Sequence, residues 1–137
     1  MEKGSFSSLD EYLESLNDER LPEREAALIF KNILHGMYYL HKQGICHRDI
    51  KLGNILIDPR DYSVKIIDFG FATVSGNTEL TNYCGTPSYM CPELLKRESY
   101  IGWQADIWAL GIVLYRLACG CRPFHGRLAL IKVRETS

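Results

Sequence analysis

His47-Arg48-Asp49-Ile50-Lys51-Leu52-Gly53-Asn54 is the stretch on which the reading of this chain turns. It packs a histidine, an arginine, a carboxylate, an ammonium group and an amide into eight consecutive positions. Alone, such a triplet as His47-Arg48-Asp49 is often a surface turn, but the flanking segments differ sharply in character. Upstream, Leu28–Ile29, Ile33, Met37 and Leu40–His41 recur at helical spacing, which predicts a long helix over about residues 22–41. Pro22 suits its first turn, Glu23 and Glu25 lie at the positive end of its dipole, and Gly44 ends the pattern. Downstream, Ile55-Leu56-Ile57 and Val64-Lys65-Ile66-Ile67 flank Asp58-Pro59-Arg60-Asp61, a hairpin signal with a turn of more than two residues.

Further out, Ser8 with Glu11 forms a capping box for a short helix over residues 8–16. Residues 70–90 hold glycines and threonines without periodicity and read as a loop; one this long in a compact domain is more often functional than idle. Residues 103–119 predict an apolar helix buried on most sides, and a short helix follows at about 128–134. The expected fold class is therefore mainly α with small β-hairpins.

Three more runs stand out. Asp68-Phe69-Gly70 directly follows the second β-prone run. Cys84-Gly85-Thr86-Pro87-Ser88-Tyr89-Met90-Cys91-Pro92-Glu93 closes the long loop, and Asp106-Ile107-Trp108-Ala109-Leu110-Gly111 opens the apolar helix. Each alone has an ordinary structural explanation: a surface turn, a helix N-cap aspartate, a core tryptophan. Their order and spacing together do not.

Taken together, these four runs resemble the catalytic loop, the DFG segment, the end of the activation segment and the anchoring helix of eukaryotic-type serine/threonine protein kinases. The style of the last two looks closest to the calmodulin-dependent, AMP-activated and polo-like branches. The resemblance implies ATP and Mg²⁺ as cofactors, and protein substrates bearing serine or threonine as partners; it leaves room for a regulatory partner. It implies that Asp49 orients the substrate hydroxyl and accepts its proton, and that Lys51 neutralises charge developing on the phosphate. Asn54 and Asp68 match the magnesium ligands. Leu56 resembles the apolar floor beneath the adenine ring, and Gly85, Thr86 and Pro87 match the residues that place the substrate. Arg48 matches the arginine that meets an activation-loop phosphate, with Thr81 the chosen acceptor, one residue out of register.

Met1-Glu2-Lys3-Gly4 looks like the hinge, so that Glu2 and Gly4 would offer backbone groups to adenine. On this reading residues 1–137 are a partial kinase domain, running from the hinge to about helix G. No G-x-G-x-x-G and no V-A-I-K strand occurs, so the small lobe is absent and the expectation is an incomplete large lobe. The alternative function is a non-catalytic, kinase-like binding module.

Composition is compatible with this. The chain has 137 residues, 46% apolar and 24% charged, with a formal charge of −1 and no basic cluster, which argues against nucleic acid as a partner. The most apolar run, Ala105 to Cys121, carries Asp106 and Arg116, which argues against a membrane span. An odd count of five cysteines without a CxxC pair fits reduced thiols in an intracellular, cytoplasmic or nuclear, protein. Glu93 normally pairs with an arginine outside these residues, and an unpaired buried carboxylate is costly. The isolated 137-residue chain is therefore expected to be poorly stable. Calorimetry should find no cooperative unfolding at an ordinary mesophilic temperature; a sharp transition there would contradict the expectation.

Overall fold

The computed structural model describes residues 6–17 and 19–120. The hinge residues Glu2 and Gly4, the Arg122-Pro123-Phe124 run and the helix expected near 128–134 lie outside these residues. Strand β1 (Ser7–Ser8) leads into helix α1 (Leu9–Glu14), where the Ser8 backbone N–H donates to the Glu11 carboxylate at 3.3 Å, as the capping box requires. Helix α2 runs Glu23–Lys42, one residue beyond the expected end, and Gly44 adopts φ +78, a conformation open to glycine at the helix exit. Strand β2 (Ile45–Cys46) follows, then a 3₁₀ turn (Leu52–Asn54) and the hairpin β3 (Ile55–Asp58) and β4 (Ser63–Ile66).

The expected loop over residues 70–90 is more structured than its composition indicates. It contains β5 (Thr73–Val74), β6 (Glu79–Leu80) and a 3₁₀ turn at Pro87–Tyr89. Helix α3 (Pro92–Leu95), strand β7 (Tyr100–Ile101) and helix α4 (Gly102–Cys119) complete the described chain. Three antiparallel sheets result: β1-β3-β4, β2-β5 and β6-β7. The last two are clasps. They pair distant segments, fixing both halves of the long loop to the helical body.

The main core is built where the periodic faces meet. Ile29, Ile33 and Met37 of α2, Leu9 and Leu13 of α1, Ile55 and Ile57 of β3, and Leu110, Val113 and Leu117 of α4 are buried together. Full burial of each such side chain contributes roughly 1.5–3 kcal/mol. A second cluster, Met90, Cys91, Leu94, Leu95, Tyr100 and Ala105, sits under the end of the long loop, with Trp108 packed against both. Gly102 is obligatory here: a Cβ would overlap the Cys46 sulfur and lie 3.1 Å from Leu80 Cδ1. Helix α4 is less enclosed than its composition predicts. Trp103, Ile107, Leu114 and Tyr115 are exposed, because the described elements pack against one side of it. No helix among the described residues is long and apolar enough to cross a membrane.

The β3–β4 turn is tied to α2 by two side chains. Asn32 Nδ2 donates to the Tyr62 carbonyl at 2.7 Å, and the Tyr62 hydroxyl donates to the Glu25 carboxylate. That hydrogen bond to the carboxylate, with burial second, pushes the Tyr62 phenol up to about 12. Because the folded value is raised, the stabilisation is fully present below the ordinary tyrosine range and is lost as pH rises through about 12. A near-ultraviolet difference titration against Tyr62→Phe should show one tyrosinate forming late, with its midpoint at about pH 12. Ionisation of that tyrosine in the ordinary range would refute the link.

Candidate active site

The geometry starts from one buried carboxylate. Asp106, 1% exposed near the start of α4, accepts from the His47 backbone N–H at 2.8 Å and the Arg48 N–H at 2.9 Å, and binds His41 Nε2 at 2.9 Å. Three partners on two segments converge on it. A carboxylate in that setting offsets its own desolvation only because its oxygens are so fully occupied. Arg48 takes a left-handed backbone conformation, φ +71, which the two bonds to its own and the preceding N–H hold in place.

His47 is wholly buried. Its Nδ1 accepts from the Asp49 N–H at 3.1 Å, so Nε2 carries the hydrogen and donates to the Ile67 carbonyl at 2.8 Å. Its ring meets Phe69 edge-on, with centroids 4.9 Å apart. His47 thus joins the Asp49 loop to the Asp68-Phe69-Gly70 segment, a role that the sequence did not disclose. The same two segments are joined again where the Ile67 N–H donates to the Asn54 carbonyl at 2.9 Å.

Around Asp49 three polar side chains gather. Asn54 Nδ2 donates to the Asp49 carbonyl at 2.8 Å and to its carboxylate at 3.3 Å. The Thr86 hydroxyl donates to Asp49 Oδ1 at 2.8 Å and accepts from Lys51 Nζ at 3.1 Å. A carboxylate, a hydroxyl and an ammonium are therefore strung in one line, with Asp49 and Lys51 half-buried and open to approach. Gly85, beside Thr86, has φ +108, and a Cβ there would come 2.8 Å from the Arg48 carbonyl. Only glycine lets the loop come this close. Pro87 begins the 3₁₀ turn that follows Thr86.

The oxygen donors expected to hold magnesium lie at the end of the β3–β4 hairpin. Asn54 spends its NH₂ on Asp49, leaving Oδ1 with no hydrogen bond among the described residues. Asp68 is exposed, in a left-handed conformation (φ +62), and among the described residues its only hydrogen bond is a long 3.4 Å contact from the Gly70 N–H. An amide oxygen and a free carboxylate suit a hard cation that keeps other oxygen ligands of its own. Among the described residues no cluster of three or more His, Cys, Asp or Glu side chains could hold a metal unaided. Leu56 lies on the face of β3 opposite Ile55 and Ile57 and is half-buried, beside Ser8 and Lys65 in the sheet.

Arg48 sends its guanidinium to the long loop. Nε donates to the Phe71 carbonyl at 2.7 Å, and Nη1 donates to the Tyr100 hydroxyl at 3.2 Å. Burial disfavours its charge, but the Tyr100 bond and nearby groups more than offset this, and its pKa is raised. Burial also raises the Tyr100 phenol. Thr81 is exposed, and no hydrogen bond joins it to Arg48.

Comparison with known proteins agrees with this arrangement. The protein kinase domain profile matches residues 1–136. The chain belongs to the protein kinase domain family. It is 42% identical over 120 residues to maternal embryonic leucine zipper kinase of Danio rerio, covering 85% of this chain and 18% of that protein. The Xenopus laevis protein of the same name is 45% identical over 109 residues, covering 77% and 17% respectively. A probable serine/threonine-protein kinase KIN1 homolog of Encephalitozoon cuniculi is 44% identical over 105 residues, covering 76% and 18%. The chain thus spans less than a fifth of each of these relatives, all of which are named as kinases.

Removing the central carboxylate should be felt by both segments that it joins. Asp106→Ala strands two backbone donors and His41, and is expected to cost about 3–5 kcal/mol in denaturant unfolding of the whole natural protein. A loss under about 1 kcal/mol, the level of an exposed ion pair, would show that the site is not organised around it.

Proposed function

We propose that the protein containing this chain transfers the γ-phosphoryl group of ATP to serine or threonine hydroxyls of protein substrates. The observation that carries the reading is the Asp49–Thr86–Lys51 line, in which a part-exposed carboxylate and ammonium share one hydroxyl. A substrate hydroxyl arriving beside Asp49 would find an acceptor for its proton, already aimed by Asn54 and Thr86. Lys51 would face the negative charge that grows on the transferred group, in a place where water is partly excluded. Asp49 contributes orientation and proton acceptance, Lys51 charge, and Thr86 the fixed distance between them.

Asn54 Oδ1 and the Asp68 carboxylate would hold magnesium, whose chemistry is to neutralise phosphate oxygens and fix their direction. Leu56 would floor the adenine, with Glu2 and Gly4 supplying backbone contacts. Gly85, Thr86 and Pro87 would seat the substrate chain beside Asp49. The setting proposed is intracellular, cytoplasmic or nuclear.

The test is phosphorylation of generic serine/threonine substrates by the longest natural chain that contains these residues, beside its Asp49→Asn variant. Asparagine keeps the shape but cannot take the proton, so kcat should drop about 10²–10⁴-fold while nucleotide affinity stays put. If the natural chain is silent with Mg-ATP, the kinase reading fails and the binding-module alternative takes its place.

A further inference from the structure

Beyond the two strand clasps, three of the contacts that hold the long segment from Asp68 to Glu93 lead back to Arg48. Near its start, the Phe71 carbonyl accepts from Arg48 Nε at 2.7 Å. Towards its end, Gly85 lies against the Arg48 carbonyl so closely that a Cβ would be 2.8 Å away. In between, the link is indirect: Arg48 Nη1 donates to the Tyr100 hydroxyl at 3.2 Å, and that hydroxyl donates to the Asn82 carbonyl at 2.7 Å. We propose that Tyr100 is a built-in anchor whose hydroxyl, set between the Arg48 guanidinium and the Asn82 backbone, orders this segment without any added phosphate group and so positions Thr86 on Asp49.

The proposal rests on the assignment of Asp49 and Thr86 to phosphoryl transfer given above. Its structural basis is independent of that assignment. Tyr100 is 4% exposed, and its ring is packed among Met90, Leu94, Leu95 and Ala105. The position of its oxygen is therefore set by core packing and by the β6–β7 pairing, in which Leu80 faces Tyr100. Arg48 is equally fixed, since its N–H is bonded to Asp106 at 2.9 Å and its backbone is left-handed. The phenol oxygen is donor to Asn82 and acceptor from Arg48 at once, and Cys84 of the same segment lies within its reach. Asn82 itself cannot carry a phosphate, and exposed Thr81 has no bond to Arg48. A phosphate would bind the guanidinium more strongly, as a charge-assisted contact. The hydroxyl holds it less tightly but permanently.

From Asn82 the chain needs only four residues to reach Thr86, whose hydroxyl lies 2.8 Å from Asp49 Oδ1. Freeing Asn82 would widen the range of positions open to Thr86, and with it those of Asp49 and Lys51. Tyr100 touches no reacting atom; it is a positioning residue.

The experiment is amide hydrogen exchange and steady-state kinetics on the whole natural protein after phosphatase treatment, comparing wild type with Tyr100→Phe, Thr81→Ala and Arg48→Gln. Phenylalanine keeps the buried ring and removes only the oxygen. Tyr100→Phe should accelerate exchange across residues 71–86 about 5–10-fold, through loss of the hydrogen bond that tethers the Asn82 carbonyl, while α2 amides keep their protection. Its kcat should fall by a similar factor, with KM for ATP changed less than about twofold. Thr81→Ala should match wild type in both readouts. In the Arg48→Gln background, Tyr100→Phe should add little, since the two residues act as one unit. Wild-type exchange in Tyr100→Phe, equal loosening by Thr81→Ala, or full additivity with Arg48→Gln would each overturn the proposal. Because exchange is read without turnover, an inactive protein with the expected exchange pattern would sink the kinase reading and leave the anchor standing.

Discussion

Everything at this site is suspended from the Asp106 carboxylate. A turn containing His47, Arg48 and Asp49 has no regular hydrogen-bond ladder of its own, and a left-handed arginine within it is unfavourable by about 1–3 kcal/mol. Asp106 reaches in from α4 and takes both exposed backbone donors. With His47 and Arg48 pinned, their side chains reach different parts of the segment that follows the hairpin. One goes to Ile67 and Phe69, the other to Phe71 and Tyr100. A single buried charge thus sets the relation between the turn that bears Asp49 and the segment that bears Asp68 and Thr86.

The division of labour follows burial. Groups that hold geometry are enclosed: Asp106, His47 and Tyr100 are all less than a tenth exposed. Groups that would meet a reactant are open: Asp68 is exposed, and Asp49 and Lys51 are half-buried. The enclosed ones are satisfied by fixed partners, so they have little capacity to respond to a ligand. The open ones retain unused oxygens and protons. Pre-organisation of this sort keeps the cost of arranging charges out of the reactive moment.

Much of the scaffold was legible in the residues themselves. Long periodic elements declare themselves locally: α2 and α4 fall within a residue of their expected limits because apolar spacing and end signals agree. The hairpin over residues 55–66 was legible for the same reason. Strands β5 and β6 were not, since two-residue strands have no alternation to read and their partners are 20 to 29 positions away. The enclosure of α4 was overestimated because an apolar composition does not say which side the neighbours occupy. At the site, the motif residues stand out as short runs, yet their connections do not. The Thr86 bridge crosses 37 and 35 residues to Asp49 and Lys51, and Tyr100 reaches Arg48 across 52. A tyrosine just before an apolar helix looks like any core residue, and nothing in its surroundings along the chain marks its oxygen as a tether.

The span of the Asp106 bonds also has a consequence for biosynthesis. The carboxylate that shapes the turn lies 59 residues after His47 and 58 after Arg48. As the chain leaves the ribosome, α2 and the hairpin can gather early from local contacts, but the turn between them must wait until α4 has emerged. For a few seconds of synthesis, at rates of roughly 5–20 residues per second, a nascent chain would hold its helix and hairpin without a formed reactive loop. The shape of the site is thus the last property this segment acquires, and a chain ended before residue 106 would be able to collapse but not to assemble that site.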